Sequence, residues 1–97
     1  MPIRSFSDRE SLSIFEAEYS KKAEKKLPVE LWEKARNVLE ALHSAENLND
    51  LKLYDLDHKK GNLKGVYSLK INAQYRVLFE WDDGEAHNVS VGDPDYH

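Results

Sequence analysis

Between His58 and Phe79 the chain carries five basic residues, Lys59, Lys60, Lys64, Lys70 and Arg76, and no acid; from Glu80 onward it carries six acids and no lysine or arginine. Such clustering makes a local positive field on a chain whose formal net charge is −4, and at a site the local field counts for more than the total. The acidic total excludes an indiscriminate nucleic-acid binder, because neutralisation of phosphates by Lys and Arg supplies nearly all non-specific affinity. Lys59, Lys60 and Lys64 fall in a stretch punctuated by Gly61 and Gly65, and the chain closes on Asp95-Tyr96-His97. His58 and His97 bring imidazoles, the side chain whose ordinary range lies near neutrality. His43 and His87 match no pattern. No two histidines stand four apart with a third ligand, and there are no cysteines, so neither a metal site, nor a disulfide, nor a thiol nucleophile is expected. No nucleotide or other cofactor motif is present.

The elements that must position these residues follow from periodicity. Pro2 to Phe6 reads as a short edge strand, ended by Ser7-Asp8-Arg9-Glu10, a capping box that starts a helix. Leu12, Phe15 and Tyr19 mark its expected buried stripe, and Lys21, Lys22, Lys25 and Lys26 an expected solvated stretch after it. Pro28 suits the first turn of a second helix, in which Leu31, Ala35, Val38, Leu39 and Leu42 share a face. Asn47 is placed to cap a short turn before Leu51 and Leu53. The period then changes from 3.6 to 2. Tyr67, Leu69 and Ile71 alternate with Ser68, Lys70 and Asn72, and Tyr75, Val77, Phe79 and Trp81 with Arg76, Leu78 and Glu80. Asn72-Ala73-Gln74 and Asp82-Asp83-Gly84 read as tight turns, and a last strand covers about His87 to Val91. The order β-α-α-β-β-β predicts an α+β fold, an antiparallel sheet with two N-terminal helices on one face. Lys70 and Arg76 then project from the open face, with Glu80 as the obvious partner of Arg76. A chain of 97 residues is expected to form one domain over 1–97. Its short apolar runs, and a start without a basic-then-apolar leader, point to a soluble cytoplasmic protein with no membrane partner.

Lys60-Gly61, Gly65, Tyr67-Ser68-Leu69-Lys70-Ile71-Asn72, Tyr75-Arg76-Val77, Phe79 and the terminal Asp95-Tyr96-His97 together resemble the HigB branch of the RelE/ParE toxin superfamily, over nearly the whole chain. The resemblance implies a RelE-like fold and a type II toxin that cleaves messenger RNA in the A site of the 70S ribosome. It further implies silencing by a HigA-like helix-turn-helix antitoxin, and no cofactor. By the same resemblance Lys60, Arg76, Asp95, Tyr96 and His97 are the functional positions. Relatives often carry a histidine where this chain has Asp57, with His58 one place later, and Gly92-Asp93-Pro94 lengthens the final segment.

Cutting RNA without a metal uses the adjacent 2′-hydroxyl as nucleophile. The protein must accept one proton, return another to the leaving 5′-oxygen and neutralise the phosphate. Arg76 suits the last task, since a guanidinium can hold phosphate oxygens through paired N–H donors. His58 or His97 suits proton transfer. Lys60, with Lys59, Lys64 and Lys70, supplies charge along the RNA; Asp95 could orient a histidine, and Tyr96 could stack on a base. Two other functions share the fold: a ParE-like gyrase poison without chemistry, and an inactive antitoxin-binding relative. The lysine-rich loop, Arg76 and the terminal histidine favour cleavage.

Overall fold

The computed structural model describes residues 2–58 and 65–94. Among these residues three α-helices, α1 (Arg9–Phe15), α2 (Lys21–Lys26) and α3 (Trp32–Ser44), precede four strands, β1 (Asp57–His58), β2 (Val66–Lys70), β3 (Arg76–Asp82) and β4 (Glu85–Gly92). The strands form one antiparallel sheet in the order β1-β2-β3-β4. The α+β architecture read from the sequence is the one observed.

Helix α3 forms as its periodicity dictates. Trp32, Ala35, Val38, Leu39 and Leu42 are buried in one core with Leu69, Ile71, Val77, Phe79, Val89 and Val91 of the sheet segment. Each such aliphatic side chain contributes about 1.5–3 kcal/mol on leaving water. A short 3-10 turn, Val29–Leu31, leads into the helix after Pro28. Trp32 is a packing anchor, its indole N–H donating to the Leu27 carbonyl at 2.8 Å.

The N-terminal third departs from expectation at three points. The cap of α1 is Asp8 rather than Ser7: Asp8 Oδ1 accepts the Ser11 N–H at 2.7 Å, and the Ser7 hydroxyl donates to Asp8. A carboxylate in that place also suits the positive helix terminus. The buried residues of α1 are Ser11 and Ile14, with Phe15 packed on Phe6, while Leu12 is exposed and Tyr19 is 60% exposed. The helix stops early because Ala17 takes a left-handed φ of 60°, which re-aims everything after it. The lysine stretch, solvated as expected at Lys21, Lys22 and Lys25, forms a separate helix, α2, whose cap, Ser20, accepts from the Ala23 N–H.

Pro2 to Phe6 covers the β4 edge, in parallel orientation, through isolated bridges Ile3↔Ala86 and Phe6↔Val89. Regular pairing is broken by the register shift on β3–β4, where Asn88 has φ 51°. A bulge of this kind locally interrupts a ladder. The β3–β4 hairpin turns on Asp83 and Gly84, both at positive φ, the geometry expected of a two-residue turn. Asn72 closes the β2–β3 connection by accepting the N–H groups of Gln74 and Tyr75. Strand β1, unforeseen in the sequence, follows a 3-10 stretch Leu48–Tyr54. Asn47 caps that stretch without a side-chain bond; Leu51 is buried, but Leu53 is 93% exposed.

Candidate functional site

Arg76 opens β3 opposite Lys70 of β2 and Gly92 of β4. Directly paired residues of an antiparallel sheet point to the same face, so Lys70, Arg76 and Ser68 share the face away from α3. Arg76 does not stand free on it: its side chain is 18% exposed. The Nε–H donates to Ser68 Oγ at 2.9 Å, Nη2 to the Asp55 carbonyl at 2.6 Å and Nη1 to Asp55 Oδ2 at 3.4 Å. Its acidic partner is therefore Asp55, and the expected pairing with Glu80 is not made. Glu80 instead accepts from the Asn88 amide at 2.7 Å, because the bulge on β4 brings Asn88 over it.

Two of these partners escaped the sequence reading. Ser68 lies in phase with Lys70 in the alternation, a signal that could have placed it beside Arg76, and its hydroxyl is wholly buried. Asp55 carried no periodic signal at all. It holds φ 54°, a conformation that Asp tolerates better than most residues, and so delivers both its carbonyl and its carboxylate to one guanidinium.

His58 goes elsewhere. It pairs with Tyr67 and stacks on that ring at 4.4 Å with 12° between planes, and Tyr67 stacks in turn on the buried Phe79. The imidazole thus lies on the helix side of the sheet, opposite to Arg76, while Asp57, paired with Ser68, lies on the Arg76 side. Of the sequence-predicted positions, Arg76 and Lys70 are brought together and His58 is not. Lys59, Lys60, Lys64, Asp95, Tyr96 and His97 lie outside the described residues.

A groove of about 800 Å³ opens beside Gly92, between the end of α2 and the sheet, lined by Lys25, Gln74, Leu78, Ser90 and Asp93 among others. Its wall is set by Lys26, which donates to Asp8 at 2.7 Å while its stem lies along the Gly92 backbone. Burial pushes the Asp8 carboxyl up, but the bonds from Lys26 and Ser11 outweigh that and hold it below its ordinary value. On the outer side of α2 the Tyr19 hydroxyl, bonded to Glu24, is pushed up. Among the described residues no group of three or more His, Asp or Glu comes together as a metal site, and no helix is long and apolar enough to cross a membrane. The site offers a tethered guanidinium, a facing lysine and a groove edged by two lysines.

A family model described as the RelE-like toxin of type II toxin-antitoxin system HigB matches residues 4–97. The toxin HigB-1 of Vibrio cholerae is 43% identical over 54 residues, a match that spans 53% of this chain and 57% of that protein. An uncharacterized protein of Haemophilus influenzae is 25% identical over 75 residues, 74% of each chain. Among solved structures, the YoeB-YefM complex from Staphylococcus aureus contains a chain similar to this one with a TM-score of 0.61 at 18% identity, covering 100% of this chain and 99% of that one. A YoeB/ParE toxin from Agrobacterium tumefaciens matches with a TM-score of 0.55 at 16% identity, covering 98% and 99%. Identities this low speak for the shared fold alone.

Proposed function

The chain belongs to the HigB-like family of RelE-like type II toxins, and from that premise we propose that it is an endoribonuclease that cuts translated messenger RNA in the ribosomal A site. One observation carries the reading. Arg76 sits on the open face beside a second cation, Lys70, with its arm fixed by Ser68 and the Asp55 carbonyl. A guanidinium held in this way can meet the phosphate as charge develops on it, without reorganising at that moment.

The remaining roles fall to residues outside the described part, and chain connectivity supports the assignment. Asp95, Tyr96 and His97 follow within five residues of Gly92, the strand partner of Arg76; at about 3.3–3.6 Å per residue the chain can bring them to the same end of the sheet. In this proposal His97 exchanges a proton with the 2′-hydroxyl or the leaving 5′-oxygen, Asp95 orients it, Tyr96 stacks on a base, and Lys60 adds charge. Lys59, Lys64 and Lys70 hold the flanking backbone. His58, on the far face, is a packing partner of Tyr67. The ribosome fixes the substrate, where positioning contributes most to rate. Residues 1–97 act as one toxin domain, silenced in the cytoplasm by a HigA-like antitoxin made with it; the YoeB-YefM complex, a neighbour in fold, is a toxin-antitoxin assembly.

The test is expression of wild type beside Arg76→Ala while 5′ ends of translated messages are mapped. Cleavage should fall by about a hundredfold or more, the usual cost of removing a charge-stabilising donor. Undiminished cutting by Arg76→Ala sinks the proposal, and growth arrest with intact messages and damaged gyrase function would point to the ParE-like alternative.

A further inference from the structure

Resting on the reading of Arg76 as the phosphate ligand, we infer that the Asp55 carboxylate is a built-in competitor for that phosphate, which keeps the free protein a weak RNA binder. A guanidinium presents two forks of paired N–H donors. Two of its donors, Nε and Nη2, are committed to neutral acceptors: Ser68 Oγ at 2.9 Å and the Asp55 carbonyl at 2.6 Å. These bonds fix the arm and leave its charge unspent. The third nitrogen, Nη1, is the one left for a phosphate, and Asp55 Oδ2 stands 3.4 Å from it.

That ion pair is poorly explained as a stabilising contact. It is long, and the Asp55 side chain is 68% exposed, conditions under which such pairs contribute little. Its electrostatic setting explains it better. Lys70 is the direct cross-strand partner of Arg76, and like charges so placed repel. An anion beside them relieves the repulsion; Asp55, which shares a shallow groove with Lys70, is that anion in the free protein. A phosphate takes its place only when the substrate is held well enough to displace it. RNA met by chance is released, and RNA presented in the ribosome is gripped.

The experiment uses the purified chain and a fully 2′-O-methylated oligouridylate of about ten nucleotides, which binds but cannot be cut by 2′-hydroxyl attack. Affinity is read by fluorescence anisotropy at low salt for wild type, Asp55→Asn, Arg76→Ala and the double variant. Asparagine keeps the carbonyl and tolerates the left-handed backbone. Asp55→Asn should bind about fivefold tighter, the worth of one unit charge removed at about 4 Å in a watery setting, and the gain should vanish in the Arg76→Ala background. Equal or weaker binding by Asp55→Asn overturns the inference and leaves the nuclease reading intact, as does a gain that persists without Arg76, since that reports net charge only. Wild-type binding by Arg76→Ala overturns both.

Discussion

Ser11 is a serine with no exposed surface in the middle of an amphipathic helix, and its role can be priced from the structure. Its Oγ accepts the backbone N–H of Val91 at 2.9 Å, on the side of β4 that faces α1, so the hydroxyl ties the first helix to the strand that ends beside Arg76. In Ser11→Ala the Val91 N–H loses its acceptor in a place where both groups are closed to water. An unsatisfied buried donor costs about 1–3 kcal/mol, and in a domain of this size each kcal/mol moves the unfolding midpoint by about 4–8 °C. A midpoint lowered by about 10 °C is therefore expected in a thermal melt, with the Val91 amide exchanging faster than its neighbours by NMR. Ser13→Ala, two residues along the same helix but half-exposed, is the control and should move the midpoint by less than about 3 °C. If the two variants melt alike, or if Ser11→Ala melts with wild type, the hydroxyl is not the tie between α1 and β4 and the reasoning fails.

Acid should loosen the junction of α1 and α2. Asp8 has its folded-state value depressed by Lys26 and Ser11, so its contribution is present above the ordinary carboxylate range and is lost as pH falls through the lowered folded value; Asp8→Asn should flatten that part of a stability–pH curve. Gly84→Ala should cost about 1 kcal/mol by chemical denaturation, because φ is 76° although the space around it is open, and an unchanged midpoint would speak against the two-residue turn. Leu53→Ser should leave the melting midpoint within about 2 °C of wild type, since a side chain already 93% exposed surrenders almost no buried area. Trp32→Phe should destabilise by about 1–2 kcal/mol through loss of the bond to Leu27; a neutral result would remove Trp32 as an anchor.

Much of the scaffold was legible because two-faced elements carry their own period. In α3 the spacing of Ala35, Val38, Leu39 and Leu42 named the buried face directly, and in β2 and β3 strict alternation placed Leu69, Val77 and Phe79 inward and Lys70 and Arg76 outward. The first helix was misread because Leu12, Phe15 and Tyr19 form a helical spacing that the chain does not sustain. Ala17 turns left-handed, and no residue type there announces it. The same local event, not any apolar pattern, converts the lysine stretch into α2 and so places Lys25 and Lys26 at the groove beside Gly92.

The site was legible in its residue types but not in their parity. Asp57 and His58 alone carry no alternation, so nothing in the sequence says which of them shares a face with Arg76. The register decides it: Asp57 pairs with Ser68 and His58 with Tyr67, and in a sheet a shift of one place moves a side chain to the opposite face. Where relatives place a histidine at position 57, the imidazole would stand on the Arg76 side; here that position is an aspartate, and the imidazole is spent on a ring stack over the core. The Arg76 side of β1 and the turn before it thus carries two carboxylates, Asp55 and Asp57, and no imidazole. Acid–base work at the proposed site then falls to residues other than His58, the role proposed above for His97. On that argument His58→Ala leaves cleavage within about threefold of wild type while lowering stability through the lost stack, by about 0.5–1.5 kcal/mol. Deletion of Tyr96 and His97, in contrast, should abolish cleavage. A collapse of activity in a folded His58→Ala protein would mean that β1 changes register on the ribosome, and the parity argument would not survive it.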